Sequence, residues 1–144
     1  MQRHIDGYIF RLIATDAIAQ CSPSEIVRII RLQCMTSENL IEVVVSKNGV
    51  PIRLTYKQWS HITENHDYMA GYLDLVLETL AEPDLIVKGW TDELLALKHY
   101  NQTVISTKDA VVVYKELGSD GFVITAFLTS SPEKIMRRGI LWQK

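Results

Sequence analysis

Residues 41–56, IEVVVSKNGVPIRLTY, hold two β-branched runs on either side of Asn48-Gly49. Asn-Gly readily takes the positive φ angles of a type I′ turn, so this stretch predicts a β-hairpin. Downstream, LTYKQWSHITENHDYMAGYLDLVLETLAEPD (residues 54–84) changes to the longer apolar spacing of helices, and Pro83 marks its end. Asp67 divides the segment. As an N-cap it starts a helix from about Tyr68 to Leu80, behind a shorter helix from about Tyr56 to Glu64. Phase groups Trp59 with Ile62 and, if the helix continues, with Met69, Leu73, Leu77 and Leu80 as core.

After Pro83 come short apolar runs, DLIVKGW, ELLALKHY, AVVVYKE and GFVITAFLT, separated by Gly, Asp, Ser and Asn. They predict an antiparallel meander with a turn at Gly118-Ser119-Asp120-Gly121 and a last edge strand in GILW, residues 139–142. The expected class is α+β, an N-terminal β-hairpin and helices packed on an antiparallel sheet around one core. No internal repeat or low-complexity linker interrupts it.

The first 34 residues fit this scheme poorly. Residues 24–32, SEIVRIIRL, suit a short helix capped by Ser22 or Ser24, but nothing earlier sustains a period. Residues 1–40 therefore read either as an N-terminal helical extension or as an over-extended start with translation beginning at Met35, ahead of one domain over 41–144. Cys21 and Cys34, with no CxxC and no His at zinc-finger spacing, read as buried reduced thiols.

The 144 residues suit one domain, and 47% apolar with 22% charged residues is ordinary globular composition. A net charge of −2 gives no global basic field to draw the chain onto nucleic acid, so an RNA partner must be held locally. Charge is segregated. Residues 64–93 carry eight acids against Lys88 alone, whereas Lys134, Arg137, Arg138 and Lys144 close the chain without an acid. That end reads as a phosphate-facing edge or as a solvated tail. No run approaches the ~18 apolar residues of a membrane helix, and Arg3, His4 and Asp6 make no secretory leader, so a cytoplasmic protein with no membrane contact is expected.

Imidazole best suits acid–base chemistry near neutrality, which singles out His61 and His66. Five helical steps leave them about 140° apart on one straight helix, but a helix ending near Glu64 would place His66 in a bend. HxxxxH is not zincin spacing, and no third ligand is recognisable, so neither metal nor cofactor is expected. GxxxxGK[ST], GxGxxG and GxSxG are all absent. His4 and His99 have no pattern around them.

The larger order is a hairpin, then L-T-x-x-x-W-x-H-I-x-x-x-H (54–66), a helix ending in Glu82-Pro83-Asp84, a basic-tyrosine strand, V-V-V-Y-K and V-I-T-A-F. From about Ile41 to Trp142 it resembles the phage-type barnase–EndoU–colicin–RelE-like nucleases. Trp59, His61, Ile62 and His66 match the helical motif, Lys98 and Tyr100 the basic-tyrosine strand, Tyr114-Lys115 the next, and Thr125-Ala126-Phe127 the last. The chain departs at Asn65 and Asp67-Tyr68, where members often carry a basic residue and Pro-Glu.

The resemblance implies a compact barnase- or RelE-like fold and metal-independent endoribonuclease chemistry in a toxin–antitoxin or phage-conflict setting. RNA would be cleaved by 2′-hydroxyl attack, leaving a 2′,3′-cyclic phosphate. It implies His61 as general acid or base, His66 as its partner or a structural residue, Lys98 and Lys115 as phosphate stabilisers, and Thr125 as a hydrogen-bond donor. Tyr100 would position a base or phosphate, and Lys134, Arg137 and Arg138 are candidates for RNA binding. The partners implied are RNA and a small antitoxin protein, with a homodimer through a strand edge compatible. Strand lysines commonly point into solvent, however, and Thr simply favours strands. The alternative is a non-catalytic interaction module of the same fold, acting through its acidic helical face.

Overall fold

A computed structural model describes residues 39–103 and 106–144. The expectations for the 24–32 helix, Cys21, Cys34 and a start at Met35 lie outside the described residues. In chain order the elements are β1 (Leu40–Val45), β2 (Pro51–Thr55), α1 (Tyr56–Asn65), a 3-10 turn (Asp67–Gly71), α2 (Leu73–Ala81), β3 (Leu85–Lys88), β4 (Leu94–Tyr100), β5 (Lys108–Leu117), β6 (Asp120–Thr129), α3 (Glu133–Met136) and β7 (Ile140–Gln143).

The strands form one seven-stranded sheet in the order β1-β2-β6-β5-β4-β3-β7, so the α+β class holds and GILW does form an edge. The sheet is mixed, which corrects the antiparallel expectation. β2 lies parallel to β6, with Ile52 opposite Gly121 and Arg53 opposite Phe122. Parallel neighbours need a long crossover, and the helices and meander between β2 and β6 supply one.

Two local expectations also change. The first hairpin turn is not type I′, because among the described residues none except glycine has positive φ and Asn48 is therefore excluded from that conformation. Gly49 N donates to Ser46 O at 2.9 Å, Ser46 N donates to Val50 O at 2.8 Å, and Gly49 has φ +82°. That is a three-residue loop whose last position demands glycine. Asp67, in turn, caps no α-helix. Its Oδ1 accepts from the adjacent Tyr68 N at 2.8 Å, residues 67–71 wind as a 3-10 turn, and α2 begins only at Leu73.

The sheet has two differently covered faces. On the first, Ile52 and Leu54 of β2, Ala96 of β4, Val112 and Tyr114 of β5, and Val123 and Ala126 of β6 meet Ile62 of α1, Met69 of the 3-10 turn, and Val76 and Leu80 of α2. On the second, Val87, Leu95, Leu97, Val111 and Val113 form a smaller cluster flanked by Ile124, Phe127 and Ile135 of α3. β4 and β5 are thus buried on both sides.

The transition from β2 to α1 positions the candidate site. Thr55 Oγ1 accepts from Gln58 N at 3.2 Å, an N-cap that turns the chain into a helix one residue after the strand ends. β2 covers only the start of β6, and the helical segment follows the edge left open. Gln58 Nε2 donates to Ile124 O, and further along Leu128 N donates to the Tyr68 hydroxyl at 3.4 Å. Side chains of the helical segment thereby satisfy backbone groups of β6 that no strand reaches.

Candidate active site

The margin between α1 and β6 carries both motif histidines. Gln58 faces the β6 edge and Ile62 the first-face core. At about 100° per residue, His61 lies about 60° from Gln58 on the side away from Ile62, and so turns away from the first-face core. Three residues advance the helix about 4.5 Å, placing His61 roughly level with Thr125 and Ala126. His61 is exposed, and Asn65 Nδ2 donates to its carbonyl oxygen at 2.8 Å while lying 3.4 Å from each ring nitrogen.

His66 closes α1 as its C-cap. Its ring lies 6.0 Å from that of Phe127, a second-face residue, and 5.7 Å from that of Tyr68. The Tyr68 hydroxyl accepts the Leu128 amide and lies 3.3 Å from His66 Nδ1. The Tyr68 hydroxyl thereby occupies Nδ1 and leaves Nε2 as the ring nitrogen that can meet a ligand.

Thr125 stands opposite Val113 in the β5–β6 register, so it shares the second face with Val113. The register shifts between Val113 and Tyr114, which leaves Ile124 as the extra residue of a bulge on β6 beside Thr125. Lys115, two residues beyond Val113 on β5, lies on the same face by strand alternation. Its Nζ pairs with Asp92 at 2.8 Å, and this bond holds the Asp92 carboxyl below its ordinary range.

Lys98 and Tyr100 lie elsewhere. On β4 they alternate with Leu97 and face α2. Lys98 Nζ is 2.9 Å from Glu78 and 3.9 Å from Glu82, with its side chain only 14% exposed. The Lys98 bond is the main reason the Glu78 carboxyl is held low. The Tyr100 hydroxyl lies 3.2 Å from Thr79 Oγ1 and 3.3 Å from Glu78 Oε2. Desolvation first, and the Glu78 charge in addition, push its pKa up to about 12 against the opposing Thr79 bond. Lys98 and Lys115 therefore occupy opposite faces and do not converge on one phosphate.

Lys134 on α3, and Arg137 and Arg138 just after it, are exposed. The Arg138 guanidinium carbon lies 3.2 Å from the ring centroid of Trp90. No hydrogen bond or ion pair joins any two of His61, His66, Lys98, Lys115 and Thr125. The candidates nevertheless sort by face, with Lys115 and Thr125 on the second, His66 beside Phe127 of that face, and Lys98 and Tyr100 under α2.

One titratable pair had no sequence signal. His99 and Asp109 stand opposite each other on β4 and β5, with Nδ1 3.0 Å from Oδ1, and the Asp84 carboxylate accepts His99 N at 3.0 Å. The Asp109 hydrogen bond raises the His99 pKa. These residues line a cavity of about 110 Å³ beneath Pro132 and Met136. Only the strand register, which no local motif encodes, brings them together. Among the described residues no group of three or more His, Cys, Asp or Glu is arranged to hold a metal ion, and no helix is long and apolar enough to cross a membrane.

Comparison with known proteins gives one match. Searches of curated proteins and of solved structures returned none. Residues 34–143 match the model of the family described as phage-Barnase-EndoU-ColicinE5/D-RelE like nuclease2. The match spans every described element, from the first hairpin to all but the last residue of the chain, and the chain belongs to this nuclease family.

Proposed function

We propose that the protein is a metal-independent endoribonuclease whose reacting groups lie along the margin between α1 and β6. The observation that carries this reading is the seating of α1 and the 3-10 turn on the open β6 edge. Helical phase turns His61 away from the first-face core, and the His66 ring lies beside Phe127, on the face that also bears Thr125 and Lys115. His61 takes the proton of an RNA 2′-hydroxyl as the 2′-oxygen bonds to phosphorus. The bond from phosphorus to the 5′-oxygen breaks, and that oxygen receives a proton from the His66 imidazolium, which returns to the neutral ring. Lys115 and Thr125 offset the charge of the phosphorane. The products are a 2′,3′-cyclic phosphate and a 5′-hydroxyl. Lys98 and Tyr100 stay outside this site and fasten α2 to β4.

Lys115 is not free in this arrangement, since Asp92 holds it. Engagement of phosphate by Lys115 requires exchange of one exposed carboxylate for another anion, a modest cost for a surface pair. A toxin-like enzyme of the cytoplasm, restrained by a small antitoxin protein, is the setting we infer from the family. A second reading, the non-catalytic interaction module, draws on the exposed Asp74, Glu78 and Glu82 of α2 and the residue after it.

Incubation of purified protein with total RNA and tRNA in EDTA, beside His61→Ala, tests the proposal. Cyclic-phosphate ends are expected from the wild type, with a loss on the order of 100-fold or more in the variant and little change in its thermal transition. Intact RNA in the presence of folded wild-type protein would move the weight to the interaction module.

A further inference from the structure

Trp90 lies in the β3–β4 turn with 74% of its surface exposed, more than any other exposed large apolar side chain among the described residues. Leaving an indole in water is unfavourable, and a flexible loop could fold it away. This loop is held. Gly89 N donates to Glu93 O at 2.8 Å. The Glu93 carboxylate accepts Thr91 N at 2.9 Å and Thr91 Oγ1 at 2.7 Å, bonds that lower its pKa to about 2. The loop thus presents Trp90 in a fixed position, with little ordering left to do on binding.

Arg138 covers one face of the indole, its guanidinium carbon 3.2 Å from the ring centroid. Cations gather on the Arg138 side of this pair. Of the loop acids, Asp92 is paired with Lys115, and Glu93, still charged, is turned back onto Thr91. Arg137 and Lys134 lie within four residues of Arg138, and none of the three makes an ion pair among the described residues. An exposed aromatic plane backed by a guanidinium and flanked by cations suits a π-surface carrying negative charge. An unpaired nucleotide has that chemistry: its base stacks and its phosphates meet the cations.

We infer that Trp90 and Arg138 form a stacking platform for single-stranded RNA, with a base laid on the open face of the indole. This rests on the nuclease reading for the identity of the polymer and extends it by naming the strand state. Asp92, two residues from Trp90, touches Lys115, so the platform adjoins the second-face residues placed in the active site. A base on Trp90 would lead the backbone toward Lys115. Duplex RNA, whose bases are already stacked on one another, gains nothing from the indole.

The test is binding rather than turnover, so that it remains informative if His61 proves inert. Fluorescein-labelled 2′-O-methyl RNA of twelve nucleotides, which offers no 2′-hydroxyl for attack, is titrated with full-length protein as a single strand and as a duplex. Trp90→Ala should raise the single-strand Kd about tenfold, Trp90→Phe much less, and neither should alter duplex binding. Arg138→Ala should weaken binding and flatten its salt dependence. An unchanged single-strand Kd in Trp90→Ala, an equal loss on duplex, or binding to anionic vesicles with none to the oligonucleotide would overturn the inference.

Discussion

The two faces of the sheet use polar side chains in opposite ways, and two lysines show the difference. Lys98, on the face beneath α2, is largely enclosed and lies against two carboxylates, beside a tyrosine whose hydroxyl is also bonded to the helix. Lys115, on the other face, has one partner, Asp92, whose side chain is 63% exposed. Lys98 joins a helix to a strand, whereas Lys115 can change partners with little reorganisation. A basic residue in a strand therefore acquires its role from the face it occupies rather than from the residue type.

Core truncation on the first face should have the largest effect. Ile62 is fully buried between α1 and the sheet, and Ile62→Ala should cost about 2–5 kcal/mol in chemical denaturation. Thr125→Val, on the second face, should cost less than about 1 kcal/mol and mainly lower RNA cleavage. Comparable stability losses from the two would erase the division between the faces.

Next in size is the junction where β2 meets β6. A Cβ at Gly121 would collide with the Lys115 backbone carbonyl and lie 2.6 Å from Ile52 Cδ1. Strand backbone cannot retreat as a flexible side chain can, so Gly121→Ala should destabilise by about 1–3 kcal/mol. The same clash should displace Lys115 and reduce cleavage beyond the loss of folded protein, seen by comparing rates at a temperature where the variant is folded.

The smallest effect is a pH dependence of opposite sign on the two faces. Asp109 favours the protonated form of His99 and raises its pKa above the ordinary 6.5. The resulting stabilisation is complete below pH 6.5 and is lost as pH rises through the raised folded-state value. Thermal midpoints should therefore decline across that window in the wild type, and the decline should flatten in Asp109→Asn. On the other face Glu78 behaves inversely. Its lowered pKa gives stability above pH 4.5 that is lost as pH falls through the folded-state value.

Much of the fold was legible because its signals are local. Asn48-Gly49, Pro83 and the change of apolar period mark the hairpin, the helices and the meander within a few residues of where they form. Turn type was less legible, since Asn-Gly serves both a type I′ turn and the loop in which Gly49 alone takes positive φ. The parallel pairing of β2 with β6 joins residues more than sixty positions apart through two registered pairs, and no local pattern announces it.

The faces of the site strands were hidden for another reason. Ala110 to Tyr114 are all buried, as are Leu95 to Leu97, so neither strand shows the alternation that would assign its lysine to a side. The motif histidines could be named from the sequence, but their direction depends on Gln58 meeting a carbonyl of a strand far along the chain. His99 with Asp109, and Trp90 with Arg138, arise wholly from tertiary placement.

The most direct measurement is the rate of RNA cleavage in EDTA by Lys98→Met and Lys115→Met, each with its thermal midpoint determined alongside. Lys115→Met should lose at least about tenfold in rate with its midpoint nearly unchanged. Lys98→Met should keep its rate while losing about 0.5–1 kcal/mol of stability. The reverse pattern, with cleavage lost in Lys98→Met and retained in Lys115→Met, would place the chemistry beneath α2 and contradict the assignment of the site to the margin of β6.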